Sequence, residues 1–129
     1  MKPYYKKSMH ICIASKGIEQ VSYIFPYNIV TKTLNTKKLS VISGGTFAKD
    51  FITDNPLGLT IASKNCKTTD ITKKILAKEN VKIMTSKDVL GIEFWGAIKN
   101  IIAIGCGIVD GMSLAESTKS LFFTKCYIS

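Results

Sequence analysis

Apolar positions fall into short runs separated by lysines, and the period of the pattern changes along the chain. MHICIAS (9–15) is a compact apolar run with β-branched residues; it predicts a buried strand ending in the loop Ser15-Lys16-Gly17. From Glu19 to about Leu34 the pattern is ambiguous, although a helix can begin near Pro26. A strand over about 39–42 then runs into a glycine turn, and TFAKDFI (46–52) has helical character. Pro56 and Gly58 interrupt it, and LGLTIAS (57–63) is a further strand. In TTDITKKILAKE, Ile71, Ile75 and Leu76 face away from lysines, the pattern of an amphipathic helix that threonines can cap. VKIMTS (81–86) alternates as a strand does, and Ser86 or Lys87 leads into a long helix.

Strand, helix, strand, helix, strand is the order of an α/β domain with a largely parallel sheet. After residue 86 only helix is predicted. The composition shift near Thr85–Lys87 therefore divides the chain into 1–86, part of a sheet domain, and 87–129, the start of a helical one.

The long apolar segment poses a chemical question. From Val89 to Val109 the only formal charges are Glu93 and Lys99. A bilayer span of that length would put Lys99 and Asn100 near its middle, at roughly 2.5–3.5 kcal/mol for the lysine alone; a buried core helix is expected instead, with no membrane span. On a helix Lys99 shares a face with Trp95, Ile102 and Cys106. Desolvation there eases loss of a proton, which suits a general base or acid. The competing reading is a lysine that snorkels or pairs with a carboxylate. Glu93 and Asn100, seven apart, share another face and can hydrogen-bond in the interior.

Two loops add candidates. Ser43-Gly44-Gly45-Thr46 lies between a strand and a helix, where backbone N–H groups attract anions, although an ordinary turn with Thr46 as cap reads equally well. Lys16 follows a strand end, where α/β sheets bind ligands, but a loop lysine is more often simply solvated. Gly105-x-Gly107 lacks the strand and spacing of a dinucleotide loop.

The 129 residues suffice for one domain with a core, and 46% hydrophobic and 21% charged residues exclude a disordered chain. The net charge of +9 comes entirely from lysine, with no arginine. Lysine-only basicity can attract anions as a field of point charges, but without aromatic stacking platforms it points to no nucleic-acid partner. Four dispersed cysteines and one histidine make no zinc spacing, so no metal is expected. Cys12 and Cys106 read as buried reduced thiols. No leader pattern opens the sequence, and the expected location is cytoplasmic.

ASKG (14–17), SGGTFAKD (43–50), ASK (62–64) and GIEFWGAIKNIIAIGCGIVDGM (91–112), taken in order, resemble the NAD(P)-dependent glycerol-3-phosphate dehydrogenase family almost end to end. The resemblance implies the C-terminal part of a Rossmann-like parallel sheet followed by the first helices of an all-α substrate domain. It implies NAD or NADP as cofactor and glycerol 3-phosphate or dihydroxyacetone phosphate as substrate. It makes Lys99 the catalytic proton acceptor. Lys16 would contact substrate and cofactor, Gly44 and Thr46 the substrate, and Ala48 and Asn100 the cofactor. Three departures stand out: Gly45 in place of the usual proline, Ser117 in place of asparagine, and Lys125 in place of arginine. The family's GxGxxG strand–turn–helix and its later aspartate and G-R-N segments have no counterpart here, so the sequence looks like the middle of the enzyme. The expected function is thus the dehydrogenase in truncated form. The alternatives are an inactive remnant of it or a lysine-rich anion-binding protein. Uncovered sheet edges and helix faces make a homo-oligomer possible.

Overall fold

The computed structural model describes residues 2–45 and 55–128. After a short 3₁₀ turn at Lys2–Tyr4 come β1 (Ile11–Ile13), α1 (Pro26–Leu34), β2 (Leu39–Ser43), β3 (Leu57–Ala62), α2 (Cys66–Leu76), β4 (Val81–Ser86), α3 (Val89–Gly111) and α4 (Glu116–Ile128). The helix expected over 46–52 lies outside the described residues. Two compact units result, Met1–Gly96 and Ala97–Ser129. The division falls inside α3, ten residues beyond the 86/87 composition shift.

In the first unit four strands form one sheet in the order β1-β2-β3-β4. β1–β2 and β3–β4 are parallel, as the α/β reading expects. The central pair, β2–β3, runs antiparallel, with Val41 opposite Ala62 and Ser43 opposite Thr60. The sheet is therefore mixed rather than wholly parallel. Its register puts Leu39 and Val41 on one face, where Ile13, Tyr27, Ala62 and Val89 complete a core flanked by Val30 and Ile92. The first turns of α3 thus belong to this unit.

The opposite face meets α2, and here the expected apolar stripe holds only in part: Ile71 and Leu76 are half-buried, but Ile75 is not. Ile75 is 76% exposed, whereas Thr68 and Thr72 are buried. The face of Ser40 decides it: its hydroxyl pairs with Thr72 Oγ1 at 2.9 Å, and Thr68 Oγ1 meets His10 Nδ1 at 2.9 Å. A polar strand position selects hydroxyls from the helix above it. The cap is not a threonine either; Asn65 Oδ1 accepts the Thr68 N–H at 3.1 Å.

Cys12 also departs from expectation. It lies on edge strand β1 and is exposed, because alternation turns Ile13, not Cys12, into the core. Its thiol is nevertheless pushed up by partial burial, opposed by a hydrogen bond with Ser40. Cys106 is half-buried, and all four cysteines are free thiols.

The second unit is a helical hairpin. Phe122 of α4 packs on Gly105 of α3, where an added Cβ would come within 2.5 Å of the ring. Near the turn, Lys119 Nζ bridges Asp110 at 2.9 Å and Glu116 at 3.2 Å. By length and composition α3 could cross a membrane.

Candidate active site

Because β1 and β2 are parallel, their C-terminal ends lie at the same edge of the sheet, the side on which α/β sheets bind ligands. Two of the glycine-containing loops picked out from the sequence are therefore brought together. After β1, the chain passes through Ser15 and Lys16 to Gly17, whose φ of +133° only glycine adopts without strain. After β2 come Gly44 and Gly45. A Cβ on Gly44 would lie 2.6 Å from the Gly58 carbonyl oxygen, so the turn is pressed against the start of β3; at Gly45 no described residue stands within 4 Å of that position.

The third motif arrives from α3. Gly96 is buried, and the position of a Cβ on it would lie 3.3 Å from Ser43 Oγ and 3.6 Å from both Cγ and Cδ of Lys16. The absence of a side chain on α3 lets the lysine stem and the serine hydroxyl close over the helix. Lys16 itself is exposed at the residue level. Its stem packs against Gly96. Beneath these residues is a cavity of about 10 Å³, the room of one water molecule, walled by Lys16, Ser43, Pro26, Ile92, Glu93 and Gly96.

Glu93 was set apart in the sequence by its charge, but its partner is not Asn100. The carboxylate is buried and accepts the backbone N–H of Tyr27 at 2.8 Å. Helix α1 starts with Phe25 at the N-cap, which offers no capping oxygen, and Pro26 in its first turn. Glu93 supplies the missing acceptor across the fold, close to the positive end of the α1 dipole. Burial pushes its carboxyl above the usual carboxylate range, and the Tyr27 hydrogen bond opposes this. Burial, with the nearby Glu93 charge, raises the Tyr27 phenol as well. An N-cap with no polar side chain before a proline was the one signal that α1 needed a distant cap.

The remaining candidates are distributed as follows. Lys99 and Asn100 open the second unit, Lys99 half-buried and Asn100 exposed. Thr46 and Ala48 lie outside the described residues. Among the described residues no three His, Cys, Asp or Glu side chains gather as metal ligands.

Residues 1–69 match the family model of the NAD-dependent glycerol-3-phosphate dehydrogenase N-terminus, and residues 88–128 match that of its C-terminus. The chain belongs to the NAD-dependent glycerol-3-phosphate dehydrogenase family. Among relatives in this family, glycerol-3-phosphate dehydrogenase [NAD(P)+] of Ehrlichia chaffeensis is 40% identical over 116 residues, 89% of this chain and 35% of that protein. The same-named protein of Dehalococcoides mccartyi is 33% identical over 126 residues, 95% of this chain and 35% of its own length. The crystal structure of glycerol-3-phosphate dehydrogenase from Coxiella burnetii superposes with a TM-score of 0.85 at 27% identity, covering 96% of this chain and 38% of that one. The Dunaliella salina structure, at 23% identity and a TM-score of 0.82, shares the fold over 93% of this chain and 21% of its own. The chain thus spans about a third of the length of the Ehrlichia chaffeensis, Dehalococcoides mccartyi and Coxiella burnetii proteins.

Proposed function

We propose that this chain carries the central part of a glycerol-3-phosphate dehydrogenase site: hydride passes between C2 of glycerol 3-phosphate and a nicotinamide, NAD or NADP. The observation that carries the reading is the meeting of three motifs at Gly96, with Lys16 and Ser43 on either side of it at the ends of β1 and β2. Among the described residues nothing stands within 4 Å of where a side chain would begin at Gly17 or Gly45, so bare backbone at this edge fits the close approach of a flat cofactor ring and its phosphates.

When bound, the nicotinamide accepts the hydride from C2, or returns it in the reverse direction. The residues of this chain handle the rest. In this reading Lys99 takes the proton of the C2 hydroxyl as the C–H bond breaks, and returns it to the carbonyl oxygen of dihydroxyacetone phosphate in reverse. Lys16 contributes positive charge to substrate and cofactor. Gly44 and Thr46 hold the substrate, and Ala48 and Asn100 border the cofactor. The free thiols support a cytoplasmic setting, and a homo-oligomer is part of the reading.

The test is a chimera in which residues 1–129 replace the matching third of the Coxiella burnetii enzyme. Turnover of glycerol 3-phosphate with NAD or NADP that falls by roughly a hundredfold or more in Lys99→Ala supports the proposal. A folded chimera without turnover, or one indifferent to Lys99→Ala, overturns it.

A further inference from the structure

We propose that Glu19 is a positioning residue for Lys16: by closing the neck of the loop after β1 it fixes the backbone from which that lysine extends. The inference rests on the reading of Lys16 as a contact for substrate and cofactor. The loop leaves the crevice at Gly17 and returns to it at Pro26, since both residues wall the same cavity. From Ala14 to Phe25 no residue is buried, so no core gives the loop its shape. That shape comes from hydrogen bonds.

The bonds converge on Glu19. Its N–H donates to the Ile24 carbonyl at 3.1 Å, and its carbonyl accepts the Tyr23 N–H at 2.9 Å. One carboxylate oxygen, Oε2, accepts the Ser22 hydroxyl at 2.6 Å, the Ser22 N–H at 2.6 Å and the Val21 N–H at 3.1 Å. These donors hold the carboxyl below the usual carboxylate range, the Ser22 hydroxyl contributing most. The turn so formed keeps Tyr23 at φ +54°, a left-handed conformation that a bulky side chain adopts only where its surroundings impose it. Between this clamp and Lys16 stand only Gly17 and Ile18. Gly17, at φ +133°, meets no described residue within 4 Å of a Cβ position and has the widest choice of backbone conformations. With Glu19 in place the glycine joint is held from both sides, by β1 and by the neck, and the Lys16 stem keeps its seat 3.6 Å from the Cβ position of Gly96. Without Glu19 the joint is held from one side.

Two measurements test this. In the Coxiella burnetii chimera, Glu19→Ala is expected to raise KM for glycerol 3-phosphate roughly fivefold, with kcat changed less than about twofold. Glu19→Gln, which keeps an acceptor oxygen, should raise it by less than about twofold. With Lys16→Met already in place, Glu19→Ala should add less than about twofold, because a positioning residue then has nothing left to position. An unchanged KM in Glu19→Ala, or the same rise with and without Lys16→Met, overturns the proposal. Amide nitrogen relaxation of the intact 129-residue chain separates it from the functional reading. Glu19→Ala should lower the order parameters of the Lys16 and Gly17 amides to about 0.6 or below, while those of Leu39 and Ile61 in the sheet stay near about 0.85 and establish the fold. Equal rigidity at Lys16 in parent and variant overturns the proposal whatever the chimera does. Loss of rigidity at Lys16 together with a folded chimera that has no turnover overturns the functional reading alone.

Discussion

The carboxylate of Glu93 accepts the amide of Tyr27 at 2.8 Å, joining residues 66 apart in sequence and tying the first turns of α3 to the start of α1. Both helices wall the crevice in which Lys16 and Ser43 meet, so this bond helps set the shape of the candidate site.

Loss of that acceptor should be costly. Glu93→Ala leaves the Tyr27 N–H buried without a partner, and a loss of about 1–3 kcal/mol in urea unfolding is expected. Glu93→Gln keeps an acceptor oxygen, so Tyr27 amide protection should survive in hydrogen exchange. Equal loss of protection in both variants would contradict the role assigned to the bond.

The same residue fixes the sign of a pH effect. Its carboxyl is raised on folding, mainly by burial, so the native state holds the proton more tightly than the unfolded chain. Its contribution is then greatest at low pH and declines as pH rises from the ordinary carboxylate value through the raised one. The difference in stability between Glu93→Gln and the parent should therefore shift in favour of the glutamine as pH increases across that window. A constant difference, followed by denaturant melts from pH 4 to pH 8, would contradict it.

Two adjacent glycines should respond in opposite ways. Gly44→Ala drives a methyl group into the Gly58 carbonyl at 2.6 Å, and a loss of roughly 1–3 kcal/mol is expected. Gly45→Ala meets no described residue within 4 Å and should change stability by less than about 1 kcal/mol. Thermal melts of the two variants side by side make the comparison.

Lys16 separates packing from charge. Its Cγ and Cδ lie over Gly96, so Lys16→Met, which keeps an unbranched stem, should cost less stability than Lys16→Ala in urea unfolding. In the chimera the same change should weaken cofactor or substrate binding at least tenfold, read as KM, by removing one ammonium from the strand ends.

The strands were legible because their apolar runs are bounded by lysines and glycines; over 19–34 the pattern is ambiguous, and only Pro26 marks a point where a helix can begin. The α/β class and the loops at Lys16 and Gly44 followed from the same local signals. Legibility failed where the deciding partner is distant. Nothing near Thr68 or Thr72 says that Ser40 waits beneath them, so Ile75 was assigned to the wrong side. Nothing near Glu93 names Tyr27. The antiparallel pairing of β2 with β3 depends on a connection whose course the hydrophobic pattern does not encode. The roles of Lys99 and Asn100 rest on likeness to the family, because composition alone leaves a catalytic lysine and a snorkelling one equal.

The tightness at Gly44 has an evolutionary consequence. Where two stretches of main chain touch with room only for hydrogen, the location of the bend is dictated by backbone, not by whichever residue comes next. Variation at Gly45, one step away, can therefore be absorbed where a side chain at Gly44 cannot.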